Sequence, residues 1–332
     1  MPWCIDKGVR DAYDSQLAFS KSYEESNFLT SAVQKVACNH SGITGNLIQL
    51  ATIASLPIDA VIRAVKATSA GMMAPIVGLR EIGNRSYLAL SWQILTLAPQ
   101  MGIGFGVGLV RGAQTIGIMA QQYITPSQPV RGYRKNAADP SAIRKYTLPH
   151  YMGGTPLYYI FGGTKAAKAY NNKKTYLMSK CWNEVNAKSS VRKGIQEKRI
   201  TFLSFATELI QHGAAACPGL GGHIIQLATC VSLPLDVVLK MIVIPLYGTL
   251  MPLSIFLDSE DLTAKCWRVI VLVPETGLMC GLSLLRVVEE IGQMAQQFIS
   301  PAGPLYYISR GSEAANEFLE DRGKKGKELG LF

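Results

Sequence analysis

The sequence predicts an all-α protein built as a tandem duplication of one helical unit, and three observations support this fold class. First, the nine residues Ser55–Arg63 return in similar form as Ser232–Lys240, 177 positions later. Second, the chain is 48% hydrophobic but only 8% aromatic, and its β-branched runs do not alternate with polar residues, which favours helix over strand. Third, each copy carries two apolar stretches of helical length.

The duplication divides the chain into two units with additional segments around them. The parts are a polar head at 1–27, a first unit at 28–170, a basic connector at 171–201, a second unit at 202–318 and a charged tail at 319–332, with a basic insertion in the first unit at about 127–153. Two units are fewer than the three or more that an open solenoid requires. We therefore expect the two halves to pack on each other.

Each unit contains an apolar helical hairpin, made of two long stretches joined by a short charged turn. The stretches are Val61–Leu79 and Tyr87–Val110 in the first unit, and Val237–Leu257 and Val269–Leu285 in the second. All four reach the roughly 17–25 residues that a bilayer-spanning helix needs. Buried core helices can have the same length. The stretches therefore predict either membrane hairpins, which the scarcity of charge favours, or a very apolar soluble core.

Positive charge is concentrated in the middle of the chain. Between positions 127 and 199 there are fifteen Lys and Arg residues and only three acidic ones, whereas the whole chain has a formal net charge of +10. Two membrane hairpins would place both termini and the basic connector on one side of a membrane, and the two turns on the other. The positive-inside rule makes the basic side the cytoplasmic one. No basic segment followed by an apolar run opens the chain, so no signal peptide is expected.

The basic region predicts an anionic partner. Lys and Arg near a membrane attract anionic head groups, which makes a lipid bilayer the expected partner. Tyrosines lie among these cations, but the sequence has no RRM, KH, zinc-finger or helix-turn-helix signature, so nucleic acid is disfavoured. Self-association and a protein partner of unknown identity are expected instead.

One acid–base pair is repeated in the two units. A proline two residues before each acid predicts the first turn of a helix, where the missing proline N–H has no intrahelical partner. A spacing of four residues predicts an ion pair along each helix. The repeated pairs are Asp59 with Arg63 and Asp236 with Lys240, and the same spacing joins Arg286 to Glu290. They mark helix starts or, as the less favoured alternative, ionisable groups on an ion pathway.

Glycines and tyrosines are also repeated at equivalent positions. Gly102 and Gly106 match Gly277 and Gly281, and small residues four apart predict close helix packing, within the hairpins or between copies of the chain. The paired tyrosines of the two units are Tyr158, Tyr159, Tyr306 and Tyr307. They predict either a membrane interface, with a buried ring and a wet hydroxyl, or an anchor that packs on its own domain.

The residue types that catalysis or metal binding would use are not repeated at equivalent positions of the two units. None of the four histidines falls on a histidine in the other unit. His212, Cys217 and His223 come closest to a metal pattern, but a structural zinc site needs four ligands in a recognisable arrangement. Neither a Gly-x-Ser-x-Gly elbow nor a His-Glu-x-x-His motif occurs. We therefore predict no catalytic residue, no cofactor and no metal.

These patterns together favour a non-enzymatic integral membrane protein that acts as a scaffold or interaction platform through its basic polar face. Two alternatives remain open. One is a channel or transporter built from two parallel repeats, with the repeated ion pairs near the conduction path. The other is a soluble all-α structural or self-assembling protein whose hairpins form its core.

Overall fold

A computed structural model describes residues 7–20, 28–83, 86–124, 156–171, 204–257 and 262–328. These residues form helices joined by short turns and contain no strand, which confirms the predicted all-α class. The helices are α1 (Lys7–Ser20), α2 (Phe28–Cys38), α3 (Ile43–Gln49), α4 (Thr52–Ile82), α5 (Tyr87–Leu95), α6 (Leu97–Ile124), α7 (Pro156–Asn171), α8 (Phe205–Ala216), α9 (Leu220–Gln226), α10 (Thr229–Leu257), α11 (Leu262–Ile299), α12 (Pro304–Arg310) and α13 (Ser312–Glu328). The basic insertion and most of the basic connector lie outside the described residues.

Matching backbone geometry recurs in the two halves. Gly42 and Gly219 precede α3 and α9 with φ of 68° and 69°. Gly163, at a kink inside α7, and Gly311, between α12 and α13, also have positive φ. Only glycine adopts this left-handed region without steric cost, which explains why glycine occupies all four positions.

The long helices α4 and α10 begin five residues before the prolines that were expected in their first turn. Pro57 and Pro234 therefore lie inside these helices, at Thr52–Ile82 and Thr229–Leu257. A proline inside a helix leaves the carbonyl four residues earlier without its N–H donor. For Pro57 this is the carbonyl of Ile53, and the Tyr123 hydroxyl donates to it at 2.6 Å. A residue distant in sequence thus satisfies the carbonyl that Pro57 leaves without a helical donor.

Glycine allows the helices of the first hairpin to approach closely. Gly71 of α4 packs against Gly104 of α6 so closely that a Cβ on either would overlap the backbone of the other. A Cβ on Gly108 of α6 would likewise overlap the backbone of Ala67 and Thr68. In the second hairpin, Gly248 of α10 faces the side chain of Ser283 on α11. Both hairpins expected from the sequence are present, but the predicted apolar stretch Tyr87–Val110 is divided between α5 and α6, which are separated by the non-helical residue Thr96.

The two hairpins meet through α6 and α11, which cross as antiparallel helices. The contacts run in opposite directions along the two helices, from Gly117 with Leu282, through Arg111 with Glu289 and Val107 with Gly292, to Gly104 with Gln296. The ends of the hairpins near Tyr87 and Leu262 therefore point away from each other. This differs from the expected arrangement of parallel repeats with both turns on one side. The contacts are reciprocal, as in a twofold-symmetric interface, and such an interface lets one surface pack against its own equivalent.

A small hydrophobic core encloses the end of the first hairpin. Ile82 and Ala89 pack there against α1, α12 and α13. The other buried members are Val9, Ala12, Ala302, Tyr306, Tyr307 and Ala314. Arg10 of α1 forms ion pairs with Glu317 and Asp321 of α13. Helix α1 and the C-terminal helices thus cover one side of the first hairpin with a charged, water-compatible surface.

Candidate functional site

At many of the described positions the distribution of polar and apolar side chains is the reverse of that in a soluble protein. Among the described residues, eight of the ten largest fully buried side chains are glutamines, and the others are Arg111 and Tyr306. Many large aliphatic side chains lie on the outside, and Val273 is 80% exposed and Leu95 is 74% exposed. Soluble proteins bury aliphatic residues far more often than glutamine or arginine. Among the described residues, four helices are also long and apolar enough to cross a membrane.

Buried amide pairs join the short helices within each half. Gln34 and Gln49 each donate to the other at 2.7 Å, and Gln49 also donates to the Gly163 carbonyl at 3.1 Å. Gln211 and Gln226 form the same pair, and Gln226 donates to the carbonyl of Gly311 at 3.0 Å. These glutamines were not among the predicted site residues, although their common spacing of 177 residues was a signal that could have identified them.

Asp59 and Asp236 hold the first turns of neighbouring helices. The Asp59 carboxylate accepts from the backbone N–H of Leu29 and Thr30 at 2.9 and 2.7 Å. Asp236 accepts from two N–H groups at the start of α8 at 2.8 and 2.9 Å. Helix starts have free N–H groups and a positive dipole end, and both favour a carboxylate. The repeat predicted these two aspartates as members of ion pairs, but not their role as caps of neighbouring helices.

The cations predicted to pair with these aspartates occupy different surroundings. Nζ of Lys240 lies 3.0 Å from a carboxylate oxygen of Glu290 on α11. Glu290 also pairs with Arg286 at 3.5 Å, as its spacing of four residues predicted. Arg63 is half-buried one turn after Asp59. The direct Asp59–Arg63 and Asp236–Lys240 pairs stay predictions.

A buried ion network lies at the centre of the α6–α11 crossing. Arg111 is 2% exposed, and its Nε donates to Glu289 at 2.8 Å. Its Nη1 donates to the carbonyl and hydroxyl oxygens of Ser20 at 3.1 and 2.7 Å. Gln114 and Gln293 also donate to Glu289. Because an ionised pair is stable away from water only with such additional hydrogen bonds, these contacts specify how the two halves dock.

The four glycines predicted to pack helices face outward. A Cβ on Gly102, Gly106, Gly277 or Gly281 would meet nothing within 4 Å. The close approach inside the first hairpin uses Gly104 and Gly108 instead, which lie on the opposite face of α6. The predicted glycines therefore do not mediate packing within the described fold. Their role in self-association stays a prediction.

The described tyrosines of the repeated pairs are buried inside the protein. Tyr159, Tyr306 and Tyr307 are all at most 8% exposed, and the side chain of Tyr158 lies outside the described residues. The hydroxyl of Tyr306 donates to Glu317, and burial together with this hydrogen bond raises its pKa above the usual 10.0. These three tyrosines therefore pack inside the protein, and a role at a membrane interface stays a prediction.

The histidines and cysteines do not come together in the described part of the chain. His223 pairs through Nδ1 with the carbonyl of Ile308 at 2.6 Å, and His212 lies 3.9 Å from Glu208. No group of three or more His, Cys, Asp or Glu side chains among the described residues is placed to hold a metal ion.

Comparison with protein families, curated proteins and solved structures finds no match to this chain.

Proposed function

We propose that this chain is a non-enzymatic protein embedded in a membrane, where it acts as a scaffold or interaction platform through its basic polar segments. The reversed side-chain distribution carries this proposal. Hydrocarbon provides no hydrogen bonds, so a protein in lipid directs its polar side chains inward and leaves its aliphatic ones outside. The buried glutamines and the exposed aliphatic side chains of α4, α6, α10 and α11 follow this rule.

The basic insertion and connector support an anionic lipid surface as the partner. Cations next to a membrane attract anionic lipids by about 1 kcal/mol each. The proposed location is a membrane whose cytoplasmic side faces the termini and the connector. The outward glycines Gly102, Gly106, Gly277 and Gly281 support contact with a second copy, since small residues four apart allow close helix packing in lipid.

Co-flotation with vesicles tests the proposal. The purified full chain, mixed with vesicles of neutral lipid alone or with anionic lipid added, should float with both and should resist extraction by carbonate or high salt. Anionic lipid should increase binding, and salt should reduce only that increase. A chain that stays in solution without detergent, or that carbonate releases, would be a soluble assembly protein instead.

A further inference from the structure

The exposed apolar surface is too long to fit across one bilayer. Ile76 of α4 lies 12 residues after Ala64, which packs on Gly112 next to the ion network, and Val273 of α11 lies 16 residues before Glu289. At 1.5 Å per residue, these two exposed side chains are about 18 and 24 Å from the central ion network along their helices. Because α4 is antiparallel to α6 and α6 is antiparallel to α11, the two positions lie on opposite sides of that network, roughly 42 Å apart. The hydrocarbon core of a bilayer is only about 30 Å thick.

The first hairpin is apolar on one side and charged on the other. The exposed stripe of α4 includes Ile58, Val61, Val65, Met72 and Ile76, and that of α6 includes Phe105, Leu109 and Ile116. Helix α1 packs on the opposite side of α4, where Gln16 meets Gly78. The ion pairs of Arg10 with Glu317 and Asp321 lie on that side as well. If α4 crossed the bilayer, it would carry this charged cover into the hydrocarbon core, and the transfer of charges into hydrocarbon is costly.

The second hairpin presents the same surface at equivalent positions. Leu109 is 50% exposed and its equivalent Leu284 is 53% exposed. Gly102 and Gly277 are likewise equivalent, and a Cβ on either meets open space. The two hairpins therefore form one elongated body that exposes an apolar stripe at equivalent positions of both halves. Among the described residues, α1 and α13 form a charged cover on the first hairpin.

We propose that this body lies along the membrane, with the α6–α11 pair parallel to the bilayer plane and the apolar stripes inserted into one leaflet. This inference rests on the proposed membrane function. Amphipathic helices that lie in a membrane surface bury their apolar face by about 5–10 Å, which is close to the diameter of one helix. The charged cover of α1 and α13 then stays in water. All polar segments of the chain lie on a single side of the membrane.

Depth measurements on labelled full-length protein test this orientation. Fluorophores attached at Gly102→Cys and Gly277→Cys, in a background without other cysteines, should be quenched equally and more strongly by shallow than by deep lipid quenchers. A label at Ser15→Cys, on the exposed face of α1, should remain open to an aqueous quencher. Labels at Tyr87→Cys and Leu257→Cys should react only with reagent added outside sealed vesicles.

A matched pair of charge substitutions gives a second measurement. Gly102→Arg and Gly277→Arg each place a charge on an apolar stripe without touching the core, so both should lower vesicle binding by a similar factor. Reaction of either hairpin end from inside the vesicle, or a large difference between the two variants, would overturn the in-plane orientation. Failure of the unmodified chain to float would instead refute the membrane function itself.

Discussion

At the residue scale, a few buried polar contacts hold an otherwise apolar molecule together. Asp59 and Asp236 each hold two backbone N–H groups, and Thr30 and Thr207 add hydroxyl contacts to Ser55 and Ser232 at 3.0 and 3.1 Å. Hydrogen bonds are directional, whereas apolar contacts among aliphatic side chains are not. The polar groups therefore determine which helix ends meet, and removing one leaves buried partners unpaired.

Replacement of the buried aspartate should weaken the first half measurably. Asp59→Ala leaves the first turn of α2 without its carboxylate cap, and we expect a loss of about 1–2 kcal/mol in the free energy of unfolding. Asp236→Ala should cost a similar amount, because its contacts are the same. Denaturant unfolding in detergent micelles measures both. Glu81→Ala, at an exposed position of α4, is the control, and an equal loss there would contradict the capping role.

The buried Tyr306 hydroxyl predicts a loss of stability at alkaline pH. Its pKa is raised above 10.0 in the folded chain, so the fold favours the neutral phenol. This contribution is complete below pH 10 and decreases as the pH rises above 10, where the unfolded tyrosine ionises first. Near-ultraviolet circular dichroism against pH should show the transition. Tyr306→Phe should reduce the pH dependence, and an unchanged profile would assign it to another group.

At the element scale, the position of each glycine along a helix decides what that glycine does. Gly104 and Gly108 lie on the face of α6 that meets α4, whereas Gly102 and Gly106 lie on the exposed face of the same helix. The GxxxG spacing is identical in both pairs. The sequence therefore identifies a helix with small residues, but only the partner helix reveals which pair is in contact.

A valine substitution on each of the two glycine faces should distinguish packing within the first hairpin from contact with a second copy of the chain. Gly71→Val collides with the backbone of Gly104, and we expect overpacking to destabilise the first hairpin by about 1–3 kcal/mol. Gly102→Val meets open space and should leave the unfolding free energy unchanged, while weakening any contact with a second copy. Thermal unfolding and chemical cross-linking in micelles measure the two effects. Equal destabilisation by both substitutions would contradict this assignment.

At the scale of the whole molecule, the antiparallel crossing is the main architectural feature. Val107 packs on Gly292, and the equivalent residues Leu282 and Gly117 pack in the same way. The reciprocity makes one surface serve both sides of the interface. Arg111 and Glu289 lie between these two contacts and bind each other with most of their surface buried. Docking in another register would leave both charges unpaired, at a cost of several kcal/mol.

Disulfide trapping should confirm the crossing in the full chain. In a background without native cysteines, the pair Val107→Cys and Gly292→Cys should form a disulfide on mild oxidation, because these positions are in direct contact. Leu282→Cys with Gly117→Cys should behave likewise. Mobility on a denaturing gel detects the closed loop. A parallel arrangement would instead bring Val107 near Leu282, so efficient bonding of Val107→Cys with Leu282→Cys would contradict the structure.

Sequence alone determined the helical class, the four long apolar helices and the positions at which the two halves agree. These features follow from local composition and spacing, which determine secondary structure and amphipathicity. It placed Asp59 and Asp236 at the start of their own helices, whereas they lie seven residues inside α4 and α10 and their carboxylates cap the neighbouring helices α2 and α8. The direction of the α6–α11 crossing, the inward glutamines and the outward face of Gly102 were decided only by tertiary structure. A repeat specifies what each half contains, whereas the relative orientation of the halves depends on contacts between residues far apart in the chain, such as Arg111 with Glu289.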